Sequence, residues 1–215
     1  EGAPVELATF FDQDREPVSF DNVAPVMYDA ILSSEDPRFY EHGGIDMIGT
    51  ARAILKTYTG GNVQGGSSIS QQYVKNVQVQ ACESKAKNDE DLKSCYDEAV
   101  TSDGTSGMAR KLQEMRYSIE LEKQYNKDDI LLGYLNIAGF GGLTYGVQAA
   151  AQRYFSVNAA DLNVGQAAAL AGMVQNPNEF RLDRPEREVN GAADGYSKTK
   201  QRQKYVLGQM LKEGK

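Results

Sequence analysis

The chain has 215 residues, 40% of them hydrophobic and 25% charged, with a net charge of -7. This balance fits one globular domain, or one domain with a small lobe, and argues against a nucleic-acid partner, which would need a basic surface. No run of about 18 apolar residues is present to cross a bilayer as a helix. An anionic ligand is still admissible, because a cationic cleft can sit within an acidic protein. The opening "EGAPVELATFF" has no leader, so the chain reads as a piece whose targeting segment lies elsewhere.

In chain order, "VELATFF" is a short strand candidate. "PVMYDAILSSE" (25–35) reads as a helix, with Pro25 in its first turn and Val26, Ala30 and Ile31 on one face. Pro37 stops it, which leaves Glu35 at a helix end. "DMIGTARAILKTY" (46–58) is a second helix, with Asp46 as N-cap and a stripe of Ile48, Ala51, Leu55 and Tyr58. The glycine-rich "TGGNVQGGSS" has no lysine in the phosphate-loop position and is not a Walker motif. "SISQQYVKN" is a helix opened by Ser67 or Ser68.

Residues 78–106 are poor in apolar side chains and read as an insertion or flap. Cys82 and Cys95 bracket the polar "ESKAKNDEDLKS". That setting favours a disulfide closing an exposed loop, and hence an oxidising compartment; two free thiols or a two-cysteine metal site are the alternatives. "MARKLQEMRYSIELEKQY" (108–125) is a long helix with Met108, Leu112, Met115 and Ile119 as its apolar stripe. Asn126 caps "KDDILLGYLN". The loop "IAGFGGLTYG" follows, then Ala-rich helices from "VQAAAQRYF" and "NVGQAAALAGMV", the loop "RPEREVNGAADGYS", and a final amphipathic helix. The sum is mainly α, in a single domain over 1–215.

Several residues could carry chemistry. Glu35 ends a helix beside Phe39, where desolvation would raise its pKa toward that of a general base. The plainer alternative is an ordinary surface carboxylate, although a C-terminal helix position is unfavourable for one. Glu114 lies three and four residues from Lys111 and Arg110, which is also the spacing of an ordinary helical ion pair. His42, the one histidine, reads first as a hydrogen-bonded structural residue and second as a metal ligand with Glu41 or Asp46. Gln71, Gln72 and Lys75 share a helical turn. "SKAK" and "SKTK" match Ser-x-x-Lys but lie in charged stretches with no Lys-Thr-Gly, and a single histidine disfavours a Ser-His-Asp hydrolase.

Taken together these stretches resemble the family 51 glycosyltransferases, the peptidoglycan glycosyltransferase (transglycosylase) domains of class A penicillin-binding proteins. "EDPRFYEHGGID" resembles the motif E-D-x-x-F-x-x-H-x-G through Glu35, Asp36, Phe39, His42 and Gly44. "GGSSISQQYVKN" resembles G-x-S-T-x-x-Q-Q, with Gly66 through Gln72 and then Lys75. "RKLQE" resembles R-K-x-x-E, and "KDDILLGYLN" resembles K-x-x-I-L-x-x-Y-L-N. The departures are Ser68 in place of Thr, a loop after Phe140-Gly141 without the usual polar or basic residue and second glycine, and a longer cysteine-bearing segment.

The resemblance implies a lysozyme-like fold with a larger helical lobe and a smaller membrane-proximal one. It implies polymerisation of lipid II into β-1,4 glycan strands with inversion and loss of polyprenyl diphosphate. Glu35 becomes the base. Lys75, Arg110 and Lys111 bind diphosphate, with Glu114 organising them. Ser67, Gln71, Gln72 and Asn136 position sugar or phosphate oxygens. No cofactor is required, and a divalent cation (Mg2+ or Mn2+) at the diphosphate site is the one metal option. The implied setting is the outer face of the bacterial cytoplasmic membrane, with an N-terminal transmembrane anchor and a C-terminal transpeptidase domain outside this chain, and sensitivity to moenomycin. The rivals are a lysozyme-like lytic enzyme and a non-catalytic peptidoglycan- or lipid-binding module.

Lipid-linked substrates require contact with a bilayer, and "ARAILKTYTGGNV", with Ile54, Leu55 and Tyr58, is the candidate edge. Leu55→Asp is expected to weaken liposome binding while leaving the melting temperature nearly unchanged. A large loss of stability would place Leu55 in the core instead.

Overall fold

Helix α1 (Pro25–Glu35) starts at Pro25, whose missing N–H costs nothing in a first turn, and buries Met27, Tyr28, Ala30 and Ile31. In the computed structural model the described residues are 13–47, 66–100, 104–184 and 196–215. The expected strand "VELATFF", almost all of the 46–58 helix with Leu55, the glycine stretch to residue 65, and residues 185–195 lie outside them. The other described helices are α2 (Ile69–Lys85), α3 (Asp89–Val100), α4 (Gly104–Gln124), α5 (Lys127–Ile137), α6 (Val147–Phe155), α7 (Val164–Met173) and α8 (Ser197–Lys212). The expectation of a mainly α, lysozyme-like chain is met. Among the described residues the only sheet is a parallel pair, β1 (Asp14–Arg15) and β2 (Thr144–Tyr145), with Arg15 opposite Tyr145.

Helix α7 is the centre of the larger packing unit. Ala167, Ala168, Leu170, Ala171 and Met173 are all buried, and the small alanines let α1 and α8 approach closely. Asn163 caps α7 and Gln166 closes a capping box; such a cap stabilises by roughly 1 kcal/mol. Phe39, Ile69, Leu131, Tyr134, Leu135 and Phe140 extend the same core toward α2 and α5. Asn126 caps α5 as expected.

Helix α2 opens at Ser68, the second of the two expected starts. Ser68 Oγ accepts from Gln71 N, and Gln71 Oε1 accepts from Ser68 N at 2.9 Å. Ser68 Oγ also donates to Gly44 O at 2.7 Å. Gly44 has φ +82°, and a Cβ there would meet the backbone of Ser118 and Ile119 at 2.8 Å. Only glycine lets this turn lie against α4.

The expected disulfide forms, and the largely exposed segment it closes is a helical hairpin with a turn at residues 86–88 and not an irregular loop. Helix α2 runs on to Lys85, and α3 folds back against it. Cys82, itself 5% exposed, forms a disulfide with Cys95 across this helical hairpin.

Helix α4 corrects the expected apolar stripe. Met108 is 69% exposed, Leu112 61% and Ile119 38%, whereas Glu114 and Ser118 are buried. The inward face is polar for two reasons. Ser118 is small enough to lie beneath Gly44, and Glu114 finds cationic partners inside. Gly44→Ala is expected to cost about 1–3 kcal/mol of stability, read as a lower thermal midpoint, because positive φ and backbone crowding act together.

Candidate active site

The site begins where α1 ends. Asp36 is 2% exposed and accepts from Ile69 N at 3.0 Å, so it ties the end of α1 to the start of α2. His42 Nε2 lies 3.0 and 2.9 Å from the two Asp36 oxygens. His42 therefore has the structural place expected of it. Lys127 supports the same turn: its Nζ donates to His42 O at 2.6 Å, pairs with Glu122 and lies 4.3 Å over the Phe39 ring. The result is a fixed α1–α2 corner that aims Glu35 into a cleft of about 590 Å³.

Glu35 Oε2 accepts from Gln72 Nε2 at 3.1 Å, and its Oε1 accepts from Arg202 at 3.2 Å. Tyr134 donates its hydroxyl proton to Gln72 Oε1 at 3.0 Å. Burial pushes the Tyr134 phenol far above its usual pKa, so it stays a donor and turns the Gln72 amide NH2 toward Glu35. Burial also raises the pKa of Glu35. The Gln72 hydrogen bond and the Arg202 charge oppose that rise but do not cancel it. A raised carboxylate is a stronger proton acceptor than an exposed one.

Across the cleft the charge reverses. Glu114, 3% exposed, accepts from Arg110 at 2.7 Å and from Lys111 at 2.5 Å. Lys111 also donates to Ser67 Oγ at 2.7 Å. Lys75 lines the same wall, and among the described residues no carboxylate pairs with it. Burial lowers its pKa, as do Arg110 and Lys111, while Glu114 opposes them. Lys75, Arg110 and Lys111 stand at this wall with Glu114 as its one carboxylate, a local excess of positive charge able to take an anion.

Of the site residues expected from sequence, Glu35, Ser67, Gln72, Lys75, Arg110, Lys111 and Glu114 line this one cleft. Two do not. Gln71 is fully buried and is spent on the Ser68 capping box. Asn136 bridges Val18 N and O at 3.0 and 2.9 Å and pins the incoming chain to α5. Both make the architecture that presents the site and are not among its lining residues. Phe140 likewise anchors its loop in the core. As for a divalent cation, both Glu114 oxygens are already taken, and among the described residues no three His, Cys, Asp or Glu side chains converge as ligands.

Arg202, from the last helix, was missed by sequence reasoning. Its side chain is 17% exposed and its guanidinium stacks 4.4 Å above Tyr205. Only the packing of α8 on α1 brings it to Glu35, 167 residues away.

The helical cleft thus holds one carboxylate that is chiefly desolvated, Glu35, and a second, Glu114, that is bound to cations. The transglycosylase family model matches residues 3–211. Penicillin-binding protein 1F of Bacillus subtilis is 34% identical over 97% of this chain and 25% of its own length. Penicillin-binding protein 1A of Neisseria flavescens is 32% identical over 97% and 22%, and penicillin-binding protein 1A of Mycobacterium tuberculosis is 33% identical over 77% and 18%. The chain belongs to the transglycosylase family, the peptidoglycan glycosyltransferases of cell-wall synthesis. It spans a quarter or less of the length of these relatives.

A carboxylate accepts a proton only when ionised, so any activity that uses Glu35 as a base should fall as pH drops through its raised pKa. Arg202 favours the ionised form. Arg202→Met is therefore expected to move the acid limb of the kcat/KM profile to higher pH, with activity recovering as pH rises, and Arg202→Lys should restore most of the original profile. An unshifted limb in folded Arg202→Met would show that Arg202 does not act on Glu35.

Proposed function

We propose that this chain polymerises a lipid-linked disaccharide-peptide, lipid II, into β-1,4 glycan. The 4-hydroxyl of the acceptor sugar attacks the anomeric carbon of the donor. Glu35 takes the hydroxyl proton as the new C–O bond forms. The bond to the polyprenyl diphosphate breaks with its electron pair on oxygen, and Lys75, Arg110 and Lys111 receive that charge. One displacement with one base inverts the α-linked donor. Glu114 holds Arg110 and Lys111 in place without sitting where the diphosphate would bind. No step requires a bound metal.

The observation that carries this reading is the division of the cleft. A hydrolase acting on neutral glycan would need a proton donor for its leaving group. Three cations around the second carboxylate suit a leaving group that already carries its charge. Contact with the lipid surface is supported by the outward apolar face of α4, with Met108, Leu112 and Ile119 exposed. No described helix is long and apolar enough to cross a membrane. We place the domain on the outer face of the cytoplasmic membrane, held by a segment outside this chain, in a larger protein that also carries a transpeptidase domain. The disulfide fits that oxidising side.

The test is polymerisation of labelled lipid II in detergent. Wild type is expected to form polymer. Folded Glu35→Gln is expected to lose at least about a thousandfold in rate, the scale of a lost general base with its orienting contacts. Lys75→Met should also depress kcat strongly. Full polymerisation by Glu35→Gln would remove Glu35 from its role. Release of reducing sugar from cell wall without polymer would replace transfer with hydrolysis.

A further inference from the structure

The cleft does not end at the reacting groups. Gln72, Lys75, Asn76, Val79, Gln80 and Glu83 recur at helical spacing on one face of α2, and all line it. At 1.5 Å per residue this floor runs about 16 Å from Gln72 to Glu83. Its chemistry changes along the way. Beyond Val79 the lining carries an amide, a carboxylate and two aromatic rings: Gln80, Glu83, Tyr145 from β2 and Tyr96 from α3.

Each of these groups is held. Arg15 donates to Gln80 Oε1 at 3.0 Å and lies 5.5 Å over the Tyr145 ring. Gln13 donates to Glu83 Oε2. Tyr96 adjoins Cys95, whose disulfide to Cys82 fixes this turn of α3 to the α2 floor. The Tyr96 side chain is nevertheless 46% exposed, so it offers a ring to the cleft without filling it. Tyr96 and Glu83 are close enough to Tyr145 to raise its pKa, after burial as the larger cause.

We infer that this distal end of the cleft is a saccharide-binding subsite for a neutral N-acetylhexosamine ring, with Tyr96 as its stacking platform. An aromatic face takes the C–H face of a pyranose, while Glu83 and Gln80 accept from and donate to its hydroxyl and amide groups. A tyrosine does this at small entropic cost, having few rotatable bonds. Glu83 balances Arg15 at this end, whereas Lys75, Arg110 and Lys111 gather at the other, so the lipid-linked phosphates belong at the Lys75 end and sugar at this one. The inference rests on the glycan-polymerising reading, since a growing strand supplies rings beyond the reacting pair. It also gives the cysteine-bearing segment a role: it carries Tyr96 to the cleft.

The experiment uses the 215-residue chain as wild type, Tyr96→Ala and Tyr96→Phe. The probe is a lipid-free tetrasaccharide of alternating N-acetylglucosamine and N-acetylmuramic acid, its affinity measured by calorimetry beside the lipid II polymerisation assay. Tyr96→Ala is expected to weaken tetrasaccharide binding about tenfold and to shorten the glycan products, while Tyr96→Phe stays within about threefold of wild type. Wild-type polymer with unchanged tetrasaccharide affinity and product length in folded Tyr96→Ala would overturn the subsite and leave the reaction standing. Tyr96-dependent binding with no polymer from wild type would leave the subsite and overturn the reaction. No measurable binding of the tetrasaccharide to wild type would overturn the subsite.

Discussion

Asp36 is the group on which the rest of the site depends. Buried where α1 meets α2, it faces an otherwise unsatisfied N–H at the start of α2 and the His42 ring. A buried acceptor of this kind is worth having only when its partners are in place, and leaving it unpaired costs about 1–3 kcal/mol or more. The corner is therefore closed or broken as a unit. When it is closed, Glu35, the last residue of α1, projects past the core, and the α2 N-terminus sets Gln72 against it. The neighbouring turn is then pressed onto α4 through Gly44, which in turn decides which face of α4 looks inward.

That last consequence links the two carboxylates. Because Gly44 lies against Ser118, α4 is rotated so that Glu114, one turn earlier, also faces inward. A buried carboxylate is costly unless it is paired, and Arg110 and Lys111 pair it from the same helix. The cations are thereby held beside Lys75 at one wall of the cleft. Glu35 occupies the other wall, beside Gln72, Tyr134 and Arg202, where burial outweighs the single cation. Two acidic residues of the same type acquire opposite uses because one is surrounded by positive charge and the other is chiefly desolvated.

Helix-scale structure was legible from local rules. Pro25 and Glu35 bound α1, Ser68 and Gln71 open α2, and Asn126 and Asn163 cap α5 and α7 as capping chemistry requires. The same local view misjudged α4. Met108, Leu112 and Ile119 recur at helical spacing, yet they point outward, because the partner that selects the inward face is a glycine turn about seventy-five residues earlier in the chain. The polar composition of residues 78–100 likewise gave no sign of the helical hairpin that Cys82 and Cys95 join.

The sequence by itself determined the composition of the site: a carboxylate at a helix end, a Gln-Gln-x-x-Lys turn, and an Arg-Lys-x-x-Glu turn, each set by spacing within one helix. It equally determined the caps, since a side chain and the N–H it accepts from lie within three residues. Only the tertiary structure decided which of those residues reach the cleft. Gln71 and Asn136 are withdrawn from it by hydrogen bonds to backbone, Tyr96 enters it from another helix, and Arg202 reaches Glu35 from the last one. The physical reason is range. Capping and helical periodicity act over a few residues, whereas desolvation of Glu35 and pairing with Arg202 depend on surfaces that meet only after α1, α2 and α8 have packed.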